Sequence, residues 1–156
     1  MQNPAEPKTG SKASRAPFVI ADEQIQPGHK GRLALPVTRL ATGSQLTIPV
    51  TVIHGQTDGP CVWMSAAIHG DELNGVPIIR RIQRCLDPRT LVGTVILVPV
   101  VNVFGLINES RYLPDRRDLN RSFPGTSKGS LASQIACLFM EEVVRHCDLG
   151  LDIHAG

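Results

Sequence analysis

Three apolar runs, Cys61 to Ile68, Thr94 to Val100 and Leu149 to Ile153, constrain what this chain can fold into more than any other feature. They are short and almost continuously apolar, the pattern of strands buried on both faces. Two segments between them have helical spacing instead. Val76, Ile78, Ile79, Ile82 and Leu86 recur at three- and four-residue steps, with Arg80, Arg81 and Arg84 on the other side. Leu131, Ile135, Leu138, Phe139, Val143 and Cys147 do the same, and Glu141 stands one turn before Arg145. Alternating strands and helices predict an α/β domain with a mixed, largely parallel sheet. Leu46 to Ile53 adds another strand, and Gly55 to Pro60 reads as the turn that follows it. Pro77 is tolerated in the first turn of a helix capped by Asn74, but would break a ladder bond in one begun at Asp71.

At 156 residues and 42% hydrophobic content, the chain is sized for one core. Residues 1–17 read as a mobile tail without an apolar signal core, 18–45 as an extended N-terminal segment, and 46–156 as the domain proper. The net charge of +2 is spread along the chain, which argues against nucleic-acid or anionic-membrane partners. Val95 to Ile107 is interrupted by Pro99, Asn102 and Gly105, so no membrane span is expected, and the cytoplasm is the expected location. Cys61, Cys85, Cys137 and Cys147 form no C-x-x-C pair and are expected to be reduced, buried and inert.

The chemistry gathers where buried strands end, the usual place for ligand sites in such sheets. His69-Gly70-Asp71-Glu72 follows one strand and Asp152-Ile153-His154 closes another, two residues before the last residue, Gly156. Two imidazoles and a carboxylate match the His2Glu set of catalytic zinc sites, which leave a fourth position for water. Asp152 suits a partner that fixes a ligand histidine's tautomer, or a turn cap. The bland alternative is two histidines that hydrogen-bond across loops. Asn102 to Lys128 is a long polar stretch of the kind that carries function. Within it, Asp118-Leu119-Asn120-Arg121 places an amide beside a guanidinium, a pairing that suits a substrate carboxylate but is equally compatible with a solvated surface.

His69-Gly70-Asp71-Glu72, Arg111-Tyr112, Asp118-Leu119-Asn120-Arg121 and Asp152-Ile153-His154, in this order, resemble the succinylglutamate desuccinylase and aspartoacylase family, relatives of the zinc carboxypeptidases. The resemblance runs from about Leu46 to the last residue. It implies a three-layer α/β/α fold and one Zn2+ per chain on His69, Glu72 and His154. It also implies Asn120 and Arg121 binding a substrate carboxylate, and an arginine polarising the scissile carbonyl. Arg111 is the candidate for that last role, with Arg116 and Arg117 competing. The implied reaction is hydrolysis of an N-acyl amino acid or related amide, with a small carboxylate-bearing substrate. The family's general base is a Glu well past the third zinc ligand, and is therefore expected beyond Gly156. The chain is accordingly expected to be an N-terminal portion, inactive by itself, with its C-terminal part missing. A catalytically silent zinc- or carboxylate-binding domain is the alternative. An uncovered sheet edge would also favour self-association.

Overall fold

The computed structural model describes residues 15–155; residues 1–14 of the expected tail and the final Gly156 lie outside that range. Strands β1 (Phe18–Ile20) and β2 (Glu23–Ile25) form a small antiparallel hairpin. The main sheet contains β3 (His29–Arg39), β4 (Gln45–His54), β5 (Thr57–Ala66), β6 (Val92–Val98) and β7 (Leu149–Ile153), in the order β3-β4-β6-β5-β7. Helix α1 (Gly75–Cys85) links β5 to β6, and the short α2 (Val103–Ile107) and longer α3 (Leu131–Glu142) lie between β6 and β7. Pairing is parallel for β6-β5-β7 and antiparallel for β3-β4-β6, so the sheet is evenly mixed and its parallel half is the one expected to carry the site.

Strand alternation sends the side chains of β4, β5 and β6 to two separate cores, whereas β7, expected to be buried on both faces, is an edge strand whose Leu149 and Leu151 are exposed. Val50 and Val52 of β4, Ile96 and Val98 of β6 and Cys61 of β5 pack in the α3-side core with Ile135 and Phe139. Ile53, Leu97 and Ala66 pack in the other with Ile79 of α1. Ile79 is fully buried, and burial of a side chain of that size contributes about 1.5–3 kcal/mol. The α1 stripe is narrower than the sequence suggests, because Ile78 points outward and is half exposed. Asn74 stands at the cap position but makes no side-chain cap bond. A Cβ on Gly75 would come within 2.6 Å of Ala66 and 3.0 Å of Ile153, so a glycine lets α1 start directly on the ends of β5 and β7.

The segment expected to precede the main fold supplies β3, which pairs with β4 along its length. Pro36 is accommodated because β3 is an edge strand, and the register shifts between Pro36 and Thr38. The second periodic segment ends as α-helix at Glu142; a 3-10 turn, Val144–His146, follows, and Cys147 is extended. Of the four cysteines expected to be buried, Cys61 is; Cys137 and Cys147 are half-buried, and Cys85, which closes α1 on the solvent side, is exposed. Among the described residues no helix is long and apolar enough to cross a membrane.

Arg15, placed in the tail by the sequence reading, is held at the amino ends of β5 and β6. Its guanidinium donates to the carbonyls of Gly55 at 2.8 Å and Gly93 at 2.9 Å and to Thr94 Oγ1 at 3.0 Å. His54, buried beside it, donates from Nε2 to the Ala16 carbonyl at 3.0 Å, which leaves Nδ1 to accept from the Thr94 hydroxyl at 2.8 Å. Burial pushes the His54 pKa below the ordinary histidine value; the Ala16 bond opposes this and nearby Arg15 adds to it. His146 is lowered too, by burial and by Arg145.

Both histidines protonate more readily in the unfolded chain than in the folded one. Their contribution to stability is therefore complete above about pH 6.5 and declines as pH falls from there toward the lowered folded values. The urea midpoint is expected to fall between about pH 7.5 and pH 5.5, and His54→Gln should flatten that fall. An unchanged slope in the variant would remove His54 from this account.

Candidate metal centre

β5 and β7 run parallel, with Ser65 opposite Asp152 and Ala66 opposite Ile153, so both deliver their next residues to the same end of the sheet. After β5 the chain turns at Ala67, whose φ of 49° is left-handed and costs an alanine about 1–2 kcal/mol. The loop after β6 holds that turn: Val101 N–H donates to Ala66 O at 3.1 Å and Asn102 N–H to Ala67 O at 2.9 Å. Asn102, fully buried, also caps α2 by accepting from Gly105 N–H at 2.7 Å. Gly105 lies against Gly70 so closely that a Cβ on Gly70 would overlap the Gly105 carbonyl carbon. The glycine after His69 is thus required by contact with α2. Glu72 N–H donates to His69 O at 3.1 Å and completes the turn.

This framework brings His69, Glu72 and His154 together, with one ligand atom from each all within 4.8 Å of one another. His69 Nδ1 faces Glu72 Oε1 at 2.7 Å, and His154 Nδ1 faces Glu72 Oε2 at 3.0 Å. The opposite nitrogens face two further carboxylates: His69 Nε2 meets Asp118 Oδ1 at 3.1 Å and His154 Nε2 meets Asp152 Oδ2 at 2.6 Å. Asp152 Oδ1 accepts from the Ser65 hydroxyl, which is buried between β5 and β7. Ala155 N–H donates to Glu72 Oε2 at 3.1 Å.

Four ring nitrogens therefore face four carboxylate oxygens, and neutral imidazoles carry only two N–H groups between them. If those protons sit on Nε2, toward Asp118 and Asp152, both Nδ1 lone pairs point at the Glu72 carboxylate and repel it. A cation between them turns the repulsion into coordination. The arrangement is the one in which a metal-bound histidine gives its other N–H to a carboxylate that fixes its tautomer. The donor set thus fits a divalent metal of the borderline N/O type.

Burial works to raise the Glu72 pKa, yet the Ala155 N–H and the contacts with His69 and His154 outweigh it and hold the carboxyl below its usual range. Asp118 behaves likewise, with burial opposed and overcome by His69, the Asn120 N–H and Arg111. Both carboxylates thus stay ionised beside the rings.

Of the three competing arginines, Arg111 is the one at the cluster: Nη1 lies 3.1 Å from Glu72 Oε1 and Nη2 lies 3.3 Å from Asp118 Oδ2. Among the described residues, Arg116 and Arg117 make no side-chain bond to the group. Asn120 lines a cavity of about 290 Å3 with Trp63, Ile68, Phe123, Phe139 and Asp152. Arg121 is largely exposed, its Nε 3.8 Å from Asp118 Oδ2. The larger cavity, about 520 Å3, is lined by Arg15, His54 and Asp58 at the opposite end of the parallel strands, away from this chemistry. The glutamate expected as general base beyond Gly156 lies outside the described residues, which end at Ala155.

Sequence reasoning passed over Asp118 and Ser65 as site residues. Asp118 stands at the head of the motif that drew attention to Asn120 and Arg121, and its position before a 3-10 turn that it caps through Asn120 N–H was the available signal. Ser65, a small polar residue in a buried strand, carried no signal until β7 was placed beside it.

Comparisons with known proteins show the family and the fold. The model of the succinylglutamate desuccinylase/aspartoacylase catalytic domain matches residues 58–156, and the chain belongs to that family. The N-alpha-acetyl-L-2,4-diaminobutyric acid deacetylase of Halomonas elongata is 34% identical over 128 residues, covering 81% of this chain and 37% of that protein. Among solved structures, a succinylglutamate desuccinylase/aspartoacylase from Rhodobacter sphaeroides superposes with a TM-score of 0.73 at 32% identity, over 81% of this chain and 40% of that one. The product-bound ectoine utilization protein of Ruegeria pomeroyi gives 0.75 at 30% identity, over 91% and 44%. The chain spans less than half the length of each of these relatives.

Proposed function

We propose that this chain carries the zinc site and the carboxylate-recognising residues of a hydrolase that acts on N-acyl amino acids or related amides. The pairing of each ring's two nitrogens with carboxylates supports this reading, since with neutral rings a cation among Nδ1 of His69, Nδ1 of His154 and Glu72 relieves the repulsion between lone pairs and carboxylate. Zinc bound there supplies a Lewis acid and a water of lowered pKa. Asp118 and Asp152 hold the rings, and Ser65 holds Asp152. Arg111 presents a guanidinium, two-fifths exposed, to the carbonyl of the acyl group. Asn120 and Arg121 take the substrate carboxylate, one by a neutral bond and one by its charge. The similarity to a deacetylase of an N-acetylated diamino acid supports an amino-acid amide as substrate.

A general base is a separate requirement. Glu72 is a ligand in this reading, and Asp118 and Asp152 are each committed to a histidine, so none of them is free to take a water proton. A glutamate supplied from beyond Gly156 would meet the requirement in a longer protein. For the isolated chain the proposal is therefore binding without turnover, which is the silent zinc- and carboxylate-binding reading. Leu149 and Leu151 on the outer strand β7 are 64% and 51% exposed. They support self-association of the isolated chain along that edge.

The purified chain is expected to hold one zinc, measured by elemental analysis after dialysis. His154→Ala should lose it, and Asp118→Ala or Asp152→Ala should weaken zinc binding by about 10–100-fold in a chelator competition. Zinc at background level in the wild type would remove the metal reading. Assays of N-acetyl amino acids with the isolated chain should show no turnover above a His69→Ala control. Zinc-dependent turnover above that control would mean that the chain contains its own base. Light scattering should give a mass that rises with concentration and returns to the monomer in Leu151→Lys; a monomer at every concentration would exclude association through β7.

A further inference from the structure

Away from the metal cluster, Cys61 Sγ and Cys147 Sγ lie 3.1 Å apart. Both are free thiols; Cys61 is buried in β5, and Cys147 is half-buried immediately before β7. Asp148 holds the two segments together twice. Its N–H donates to the Cys61 carbonyl at 2.8 Å, and its carboxylate accepts from the Cys61 N–H at 2.8 Å. A disulfide needs about 2.05 Å between sulfurs, so the gap to be closed is on the order of 1 Å, within reach of side-chain rotation. Cys85 and Cys137 have no thiol neighbour of this kind among the described residues.

We propose that Cys61 and Cys147 form a redox modification site, which a low-molecular-weight disulfide such as oxidised glutathione converts to a reversible intramolecular disulfide. The hydrogen bond between the sulfurs lowers the Cys61 thiol against the effect of burial and raises that of Cys147, so the pair gives up its first proton more readily than its second. The remaining proton moves between the sulfurs, and the half-buried Cys147 is the one that a reagent reaches. Its thiolate attacks one sulfur of the small disulfide and expels one thiolate, leaving a mixed disulfide on Cys147. Cys61 then loses its proton to water and attacks Cys147 Sγ, expelling the second thiolate. The protein loses two electrons and two protons, and the small disulfide becomes two thiols. The bond ties β7, which carries Asp152 and His154, to β5 at the end of the sheet remote from the metal cluster. The thiol pair needs no zinc for this chemistry and stands apart from the metal reading.

The test is to equilibrate the folded full chain in glutathione buffers of increasing oxidised fraction, quench with acid, alkylate free thiols and map the peptides by mass spectrometry. The expected product links the peptide holding Cys61 to that holding Cys147, with the mass of two hydrogens lost, and dithiothreitol restores both thiols. The same link should form in the Cys85→Ser/Cys137→Ser double variant. The proposal is overturned if Cys61 and Cys147 remain alkylatable, or carry only separate glutathione adducts, in buffers that saturate Cys85. A link that forms only after unfolding in urea would overturn it equally.

Discussion

The carboxylate of Glu72 is the contact on which the site depends, because it joins the turn after β5 to the residues that follow β7. One oxygen faces His69 and Arg111; the other faces His154 and the Ala155 N–H, which are 82 and 83 residues further along. Nothing in the local turn after β5 requires β7 to end where it does. The parallel register of β5 and β7 does the positioning, and Glu72 then fixes the two strand ends to each other. The energetic cost lies in placing an acid and two imidazoles in a partly dry corner. Against that cost, Arg111 and the Ala155 N–H donate directly to the Glu72 carboxylate.

The surrounding architecture concentrates rigidity at this end of the sheet. Asn102 is buried and satisfied by backbone on both sides, and it holds the left-handed turn at Ala67 together with the first turn of α2. Strain at Ala67 persists because neighbouring hydrogen bonds over-determine it. The opposite end of the sheet is organised by a different device, a guanidinium that donates to the Gly55 and Gly93 carbonyls where β5 and β6 begin.

Much of this was legible in the sequence, for physical reasons that also mark where legibility stops. A strand buried on both faces leaves a continuous apolar run, so β5 and β6 announced themselves; β7 has the same kind of run and was bounded to the residue, although its leucines face solvent at the sheet edge. The grouping of His69, Glu72 and His154 was readable because imidazoles are few in this chain and two of them sit just past strand ends. β3 was obscured, since an edge strand with one wet face and a proline carries weak periodicity. Asp118 was harder still. A carboxylate acting through a histidine looks, in one dimension, like any loop aspartate, and only the fold shows which ring it serves. The cysteines show the same limit: four thiols without a spacing motif look alike, while Cys61 and Cys147 become neighbours only when β7 is laid beside β5.

The contact between Gly70 and Gly105 has a mechanical consequence. Two backbones that touch leave no room for a side chain between them, so the turn bearing His69 and Glu72 is seated directly on the loop leading to Arg111. The wall carrying Asn120 and Phe123 meets its neighbours through side chains instead, with Phe123 edge-on to Phe139. The two sides of the cluster are thus built differently, one from touching backbones and the other from packed side chains.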